Sequence, residues 1–140
     1  MDILVIDGMG GGIGKAVIER LRAEWKECKI LAVGTNALAT AAMLKAGANE
    51  GATGENAVVF NSGKAKVIVG AMGIVLANAM LGEVTPRMAE AVSCSAAHKV
   101  LIPVARCNAT VVGVAEKPAA QWIAEIPSVV RAIFAGETER

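Results

Sequence analysis

A run of four apolar residues, Ile3-Leu4-Val5-Ile6, breaks directly into Asp7-Gly8-Met9-Gly10-Gly11-Gly12-Ile13-Gly14-Lys15, after which apolar residues return at helical spacing. Few folds accommodate that order. A brief apolar run stopped by glycine fits a strand covered on both faces. Beyond the loop, Ile13, Ala16, Val17 and Leu21 take one helical face, while Lys15 and Glu19 sit four apart on the other. Lys29 to Val33 supplies a second apolar strand ending at Gly34, so the first 34 residues predict a βαβ unit with a right-handed crossover.

The rest of the chain extends the pattern. Thr35-Asn36 predicts the cap of a second helix, Ala37 to Ala46, closed by Gly47. Gly51 to Asn56 reads as a polar loop, Ala57 to Phe60 as a brief strand, Asn61-Ser62-Gly63 as a turn, and Lys66 to Val69 as a stronger strand ending in Gly70. Ile74 to Leu81 is apolar on nearly every side and predicts a helix buried in the core or against a second copy of the chain. Thr85-Pro86 has the cap and first-turn proline of a helix start. Val100-Leu101-Ile102 and Thr110 to Val114 read as two strands of an edge hairpin. A last helix is expected from Pro118, interrupted at Pro127, with a frayed tail from Glu137 to Arg140.

Composition supports buried strands. Hydrophobic residues make up 54% and charged residues 19%, Tyr is absent, and only two Phe and two Trp occur. The core is therefore aliphatic, and 140 residues predict one domain, residues 1–140, burying roughly 68% of its unfolded surface. A net charge of +1 without a basic block gives no reason to expect nucleic acid or a membrane surface as partner. The most apolar stretch, Val67 to Leu81, is too short to span a bilayer. Cys28, Cys94 and Cys107 form no C-x-x-C pair, and Met1-Asp2-Ile3 already reads as strand, which together predict a cytoplasmic chain with reduced thiols.

Glycine suits a loop that must turn sharply, admit a ligand to the backbone and bring helix close to strand. Amides at the following helix start then favour a phosphate. Gly8-x-x-x-Gly12-Ile13-Gly14 resembles the T-G-x-x-x-G-I-G fingerprint of short-chain dehydrogenases, with Asp7 in place of Thr. That family's chemistry uses a Tyr-x-x-x-Lys pair, which a chain without Tyr does not contain. At the end of the second strand, where an acid would hold an NAD ribose, stand Gly34-Thr35-Asn36. Gly11-Gly12-Ile13-Gly14-Lys15 also resembles the end of the deviant Walker motif of MinD-like ATPases, but Ala16 lacks the hydroxyl that would hold Mg²⁺ and Gly10 replaces the signature Lys.

The expected site therefore comprises Gly8, Gly10, Gly11, Gly12, Ile13 and Gly14 on a phosphate, with Thr35 and Asn36 on a sugar. Gly70, at a second strand end, joins it at the carboxyl edge of the sheet. The ligand class is a phosphate-bearing small molecule, NAD(P) or another nucleotide. A tight packing turn with no ligand is the competing reading of the same loop. Thr35 or Asn36 as a plain helix cap competes in the same way. Thr53-Gly54-Glu55-Asn56 reads as a connecting turn or a second contacting loop, and Asn78 as a buried amide needing a partner. Arg106-Cys107-Asn108 joins a thiol to a cation, although a structural Cys and a surface Arg are the favoured reading, and His98 reads as solvated. No spacing suggests a metal site.

Over most of its length, through Gly34-Thr35-Asn36-Ala37, Met43-Leu44-Lys45-Ala46-Gly47-Ala48, Gly51 to Asn56 and Ile102 to Asn108, the chain resembles a small bacterial family catalogued as a domain of unknown function, number 3842. That resemblance implies no substrate or catalytic residue. The expectation is an α/β, Rossmann-like three-layer sandwich with a mostly parallel sheet and an antiparallel edge hairpin. Its function is to bind a nucleotide or dinucleotide phosphate at the glycine loop, whether or not a reaction follows. The alternative is a non-catalytic, homodimeric sensory or assembly module.

Overall fold

The computed structural model describes residues 1–136. Ile3–Asp7 forms β1, fully buried, and runs through residues 8–11 into α1, Gly12–Glu24. β2, Ile30–Gly34, is followed by α2, Ala37–Ala46, β3, Glu50–Thr53, and α3, Glu55–Ser62. β4, Val67–Ala71, leads through a 3₁₀ turn at Met72–Val75 to α4, Pro86–Cys94. Then come β5, His98–Ile102, and α5, Ala119–Phe134.

The five strands form one sheet in the order β3-β2-β1-β4-β5, and every pairing is parallel. Connections run outward from β1 through α1 and α2, then return and run the other way through α3 and α4. Alternate residues of β1 divide between two cores. Ile3 and Val5 pack with Val17, Ile18 and Leu21 of α1, Met43 of α2 and Val130 of α5. Leu4 and Ile6 pack with Val58 of α3 and Met88 and Val92 of α4. Helices therefore cover both faces, which is why β1 and β4 are apolar at consecutive positions. Reversing direction and face together keeps one hand for all four crossovers.

Both caps expected on α2 and α4 form. The Asn36 side chain accepts from the Ala39 amide at 2.9 Å, and Thr85 Oγ1 accepts from the Met88 amide at 3.1 Å with Pro86 in the first turn.

Four expectations are corrected. The edge hairpin is not formed: the segment from Thr110 to Val114 is irregular, Val112 is 95% exposed, and the sheet ends at β5. Ala105, Cys107, Asn108 and Gly113 take left-handed φ values that no strand sustains. Residues 57–60 are helical, inside α3, while the strand of this region is Glu50–Thr53 in the stretch read as a loop. Gly54, at φ 101°, turns the chain out of β3, and Glu55 places a negative charge in the first turn of α3. That outweighs the strand preference of Val58, Val59 and Phe60.

The helix expected from Ile74 to Leu81 is instead the 3₁₀ turn followed by a strap that folds back on itself, with the Asn78 amide donating to the Val84 carbonyl at 2.7 Å. Asn78 is exposed, and Ile74 and Ala79 supply the strap's buried contacts. Finally, α5 continues through Pro127, which is buried, rather than breaking there. The tail expected to fray, residues 137–140, lies outside the described residues.

Candidate functional site

Because all strands point the same way, the segments leaving β1, β4 and β5 meet at one edge of the sheet. The connections reverse between β1 and β4, and a crevice opens there, as it does at such switch points in open α/β sheets. A cavity of about 350 Å³ occupies it, lined by Asp7, Gly8 to Ile13, Ala71, Met80, Val104 and Ala105. A hollow of about 460 Å³ between α1 and α5, walled by Ala16, Ala23, Ala120 and Ala124, adjoins it and shares Gly12 and Ile13 with it.

The loop's glycines separate into two groups. Gly11 lies at φ 77°, and a Cβ there would come within 2.9 Å of the Ala39 backbone. A Cβ at Gly8 would meet Thr35 Oγ1 at 2.6 Å, and one at Gly14 would collide with the Met43 side chain. These three are required by the fold itself. A Cβ at Gly10 or Gly12 would meet nothing within 4 Å. Both face open space, and neither amide donates to a protein acceptor among the described residues.

Asp7 is buried to 4% exposure, and its carboxylate lies across the start of α1. It accepts from the Gly8 amide at 2.8 Å and from the Gly14 amide at 2.7 Å. Burial pushes its carboxyl above the ordinary range. The amides of Gly14, Gly8 and Ile13 pull the other way, and the charge of Glu83 adds to the rise. An internal carboxylate thus occupies part of the α1 terminus, leaving the outward amides of Gly10 and Gly12 for anything bound from solvent.

Glu83 arrives from the strap. Its Oε1 accepts from the Met9 amide at 2.9 Å, Thr35 Oγ1 at 2.6 Å and Asn36 Nδ2 at 2.8 Å. The Thr35 hydroxyl, then the Met9 amide, and last the Asn36 amide hold its carboxyl below the ordinary range against partial burial. Thr35 and Asn36, expected on a sugar, therefore hold a carboxylate at the tip of β2, and Asn36 also donates to the Met9 carbonyl at 2.9 Å.

Of the expected residues, Gly8, Gly10, Gly11, Gly12 and Ile13 line the cavity, Gly14 sits beneath it and Thr35 and Asn36 stand beside it. Gly70 is a mid-strand residue whose missing Cβ admits Ile74. Its neighbour Ala71 reaches the cavity instead. Thr53 and Glu55 turn inward to Thr40 and Thr85. The Arg106 guanidinium goes to the Pro103 carbonyl and Glu116. His98 is exposed at the start of β5, the opposite sheet edge. Asp7 signals itself in the sequence as a strand-ending Asp before glycine. Glu83 gives no local signal, since only the tertiary fold brings it to Thr35.

No group of three or more His, Cys, Asp or Glu placed to hold a metal occurs among the described residues. No helix among them is long and apolar enough to cross a membrane.

The fold and site define an all-parallel, doubly covered α/β domain with a glycine-rich strand-to-helix loop at its switch point. The chain belongs to the family described as domain of unknown function (DUF3842), whose model matches residues 2–135. No curated protein and no solved structure shows significant similarity to it.

Proposed function

We propose that this is a Rossmann-like domain that binds a nucleotide at the β1–β4 crevice, its phosphate on the outward amides of Gly10 and Gly12. The observation that carries the reading is the pair Gly10 and Gly12. Neither is required by packing or by a positive φ, and both stand where an approaching phosphate needs bare backbone. The strand order 3-2-1-4-5 is shared with dinucleotide-binding sheets, and the crevice is the position their ligands use.

The volume favours one nucleotide over an extended dinucleotide, because about 350 Å³ is near the lower limit of small-molecule pockets. Asp7 in the lining, Glu83 on the neighbouring Met9 amide and the absence of Lys or Arg from the lining favour a singly phosphorylated ligand over a triphosphate.

Thermal unfolding with a panel of nucleoside mono-, di- and triphosphates, NAD and NADP tests the reading. A ligand at 100 times its Kd stabilises by about 2.7 kcal/mol. Gly12→Val, at a position where an added Cβ meets nothing within 4 Å, is expected to abolish that gain. Flat melting curves across the panel would overturn the proposal.

A further inference from the structure

We infer that Glu83 is the specificity residue of this crevice, accepting hydrogen bonds from the free 2′- and 3′-hydroxyls of a ribose and rejecting a 2′-phosphate. The inference rests on the nucleotide reading above and adds which sugar the site takes.

Three observations carry it. The first is position. The Glu83 carboxylate stands between the glycine loop and the tip of β2, touching Met9 on one side and Thr35 and Asn36 on the other. A sugar attached to a phosphate on Gly10 and Gly12 lies beside that point, and a β2 strand ending in Gly34-Thr35-Asn36 has no acid of its own to meet it.

The second is the division of labour within the carboxylate. All three hydrogen bonds from the protein go to Oε1. Oε1 is thereby fixed in place, while Oε2 accepts no hydrogen bond from any described residue and is left as an oriented, charged acceptor. A tether alone needs only the first oxygen.

The third is the backbone that delivers it. Asn78, Met80 and Leu81 all adopt left-handed φ values, 67°, 57° and 56°, with Gly82 at 90°. Non-glycine residues avoid that region unless the surrounding structure imposes it. Leu81 is 93% exposed, so burying its side chain does not account for the conformation. What the turn achieves is to bring Glu83 back over Gly8.

An ionised acceptor suits a vicinal diol, which donates two hydrogen bonds, and repels a 2′-phosphate at contact distance. Glu83→Gln separates the tether from the specificity. The Gln carbonyl still accepts from Met9, Thr35 and Asn36, while its amide replaces the free acceptor with a donor and removes the charge.

The experiment is calorimetric titration of wild type and Glu83→Gln with adenosine 5′-monophosphate, its 2′-deoxy analogue and adenosine 2′,5′-bisphosphate. Wild type is expected to bind the ribonucleotide about ten- to a hundredfold more tightly than the other two, the range of one hydrogen bond to a charged group. Glu83→Gln is expected to lose most of the discrimination against the 2′-deoxy analogue and to gain affinity for the bisphosphate. Equal wild-type affinity for the ribo and deoxy forms, or discrimination that survives in Glu83→Gln, overturns the inference while leaving the nucleotide reading intact. No binding of any of the three by wild type removes both. Should Glu83→Gln fail to fold, the wild-type comparison alone decides.

Discussion

Two carboxylates a few residues from one another in space are shifted in opposite directions, and the shifts make opposite demands on stability. Asp7 is raised, so the folded chain holds its proton more tightly than the unfolded chain. Its contribution is fully present below about pH 4 and is lost as pH rises through the folded value. Glu83 is lowered, so its contribution is present above about pH 4 and is lost as pH falls below it. Urea unfolding from pH 3 to 7 is therefore expected to show wild type losing stability relative to Asp7→Asn as pH rises, and gaining relative to Glu83→Gln. Parallel curves for the three proteins would contradict the assignment.

The glycines divide by the same physical test. Gly11→Ala is expected to cost roughly 1–2 kcal/mol for its left-handed backbone alone, and Gly14→Ala about 1–3 kcal/mol for overpacking Met43. Gly10→Ala and Gly12→Ala should stay within about 0.5 kcal/mol of wild type. The loop was legible in the sequence because its spacing is local. Its division was not, because Ala39, Met43 and Thr35 come from distant segments.

At the scale of elements, sequence pattern sufficed wherever local and tertiary preferences agreed. β1, β2 and β4 are apolar runs, β5 closes on the run Val100-Leu101-Ile102, and α2 and α4 carry side-chain caps at their expected residues. It failed where they conflict. β3 is a polar, glycine-containing edge strand because Leu44 and Thr40 of α2 pack closely over Gly51. The apolar content of Ile74 to Leu81 serves a folded-back strap with a few buried anchors rather than a helix. Thr110 to Val114 has the β-branched composition of a strand without a partner to pair with. Val112→Ser is accordingly expected to change stability by less than about 0.5 kcal/mol in denaturant unfolding. A loss above about 1 kcal/mol would mean that the side chain is packed after all.

Across the whole molecule, two cores joined through one sheet make Cys28 a reporter of global unfolding. Cys28 is buried, and burial pushes its thiol up despite the nearby Arg22, whereas Cys94 and Cys107 are exposed. A thiol reagent near neutral pH should label two cysteines quickly and Cys28 at the rate of unfolding. Rapid labelling of all three would show that the core around Trp25 and Cys28 opens locally. The apolar helix that suggested a homodimer is not formed, which returns attention to the crevice, where the fold, the bare glycines and the Glu83 carboxylate converge.

The most direct measurement is an amide-resolved NMR titration of the ¹⁵N-labelled chain with adenosine 5′-monophosphate. Saturable shifts are predicted to centre on Gly10 and Gly12, with smaller ones at Met9, Ile13 and Asn36. Saturating nucleotide that leaves those amides unmoved, or that shifts Ala23, Ala120 and Ala124 of the α1–α5 hollow while Gly10 stays still, would contradict the account.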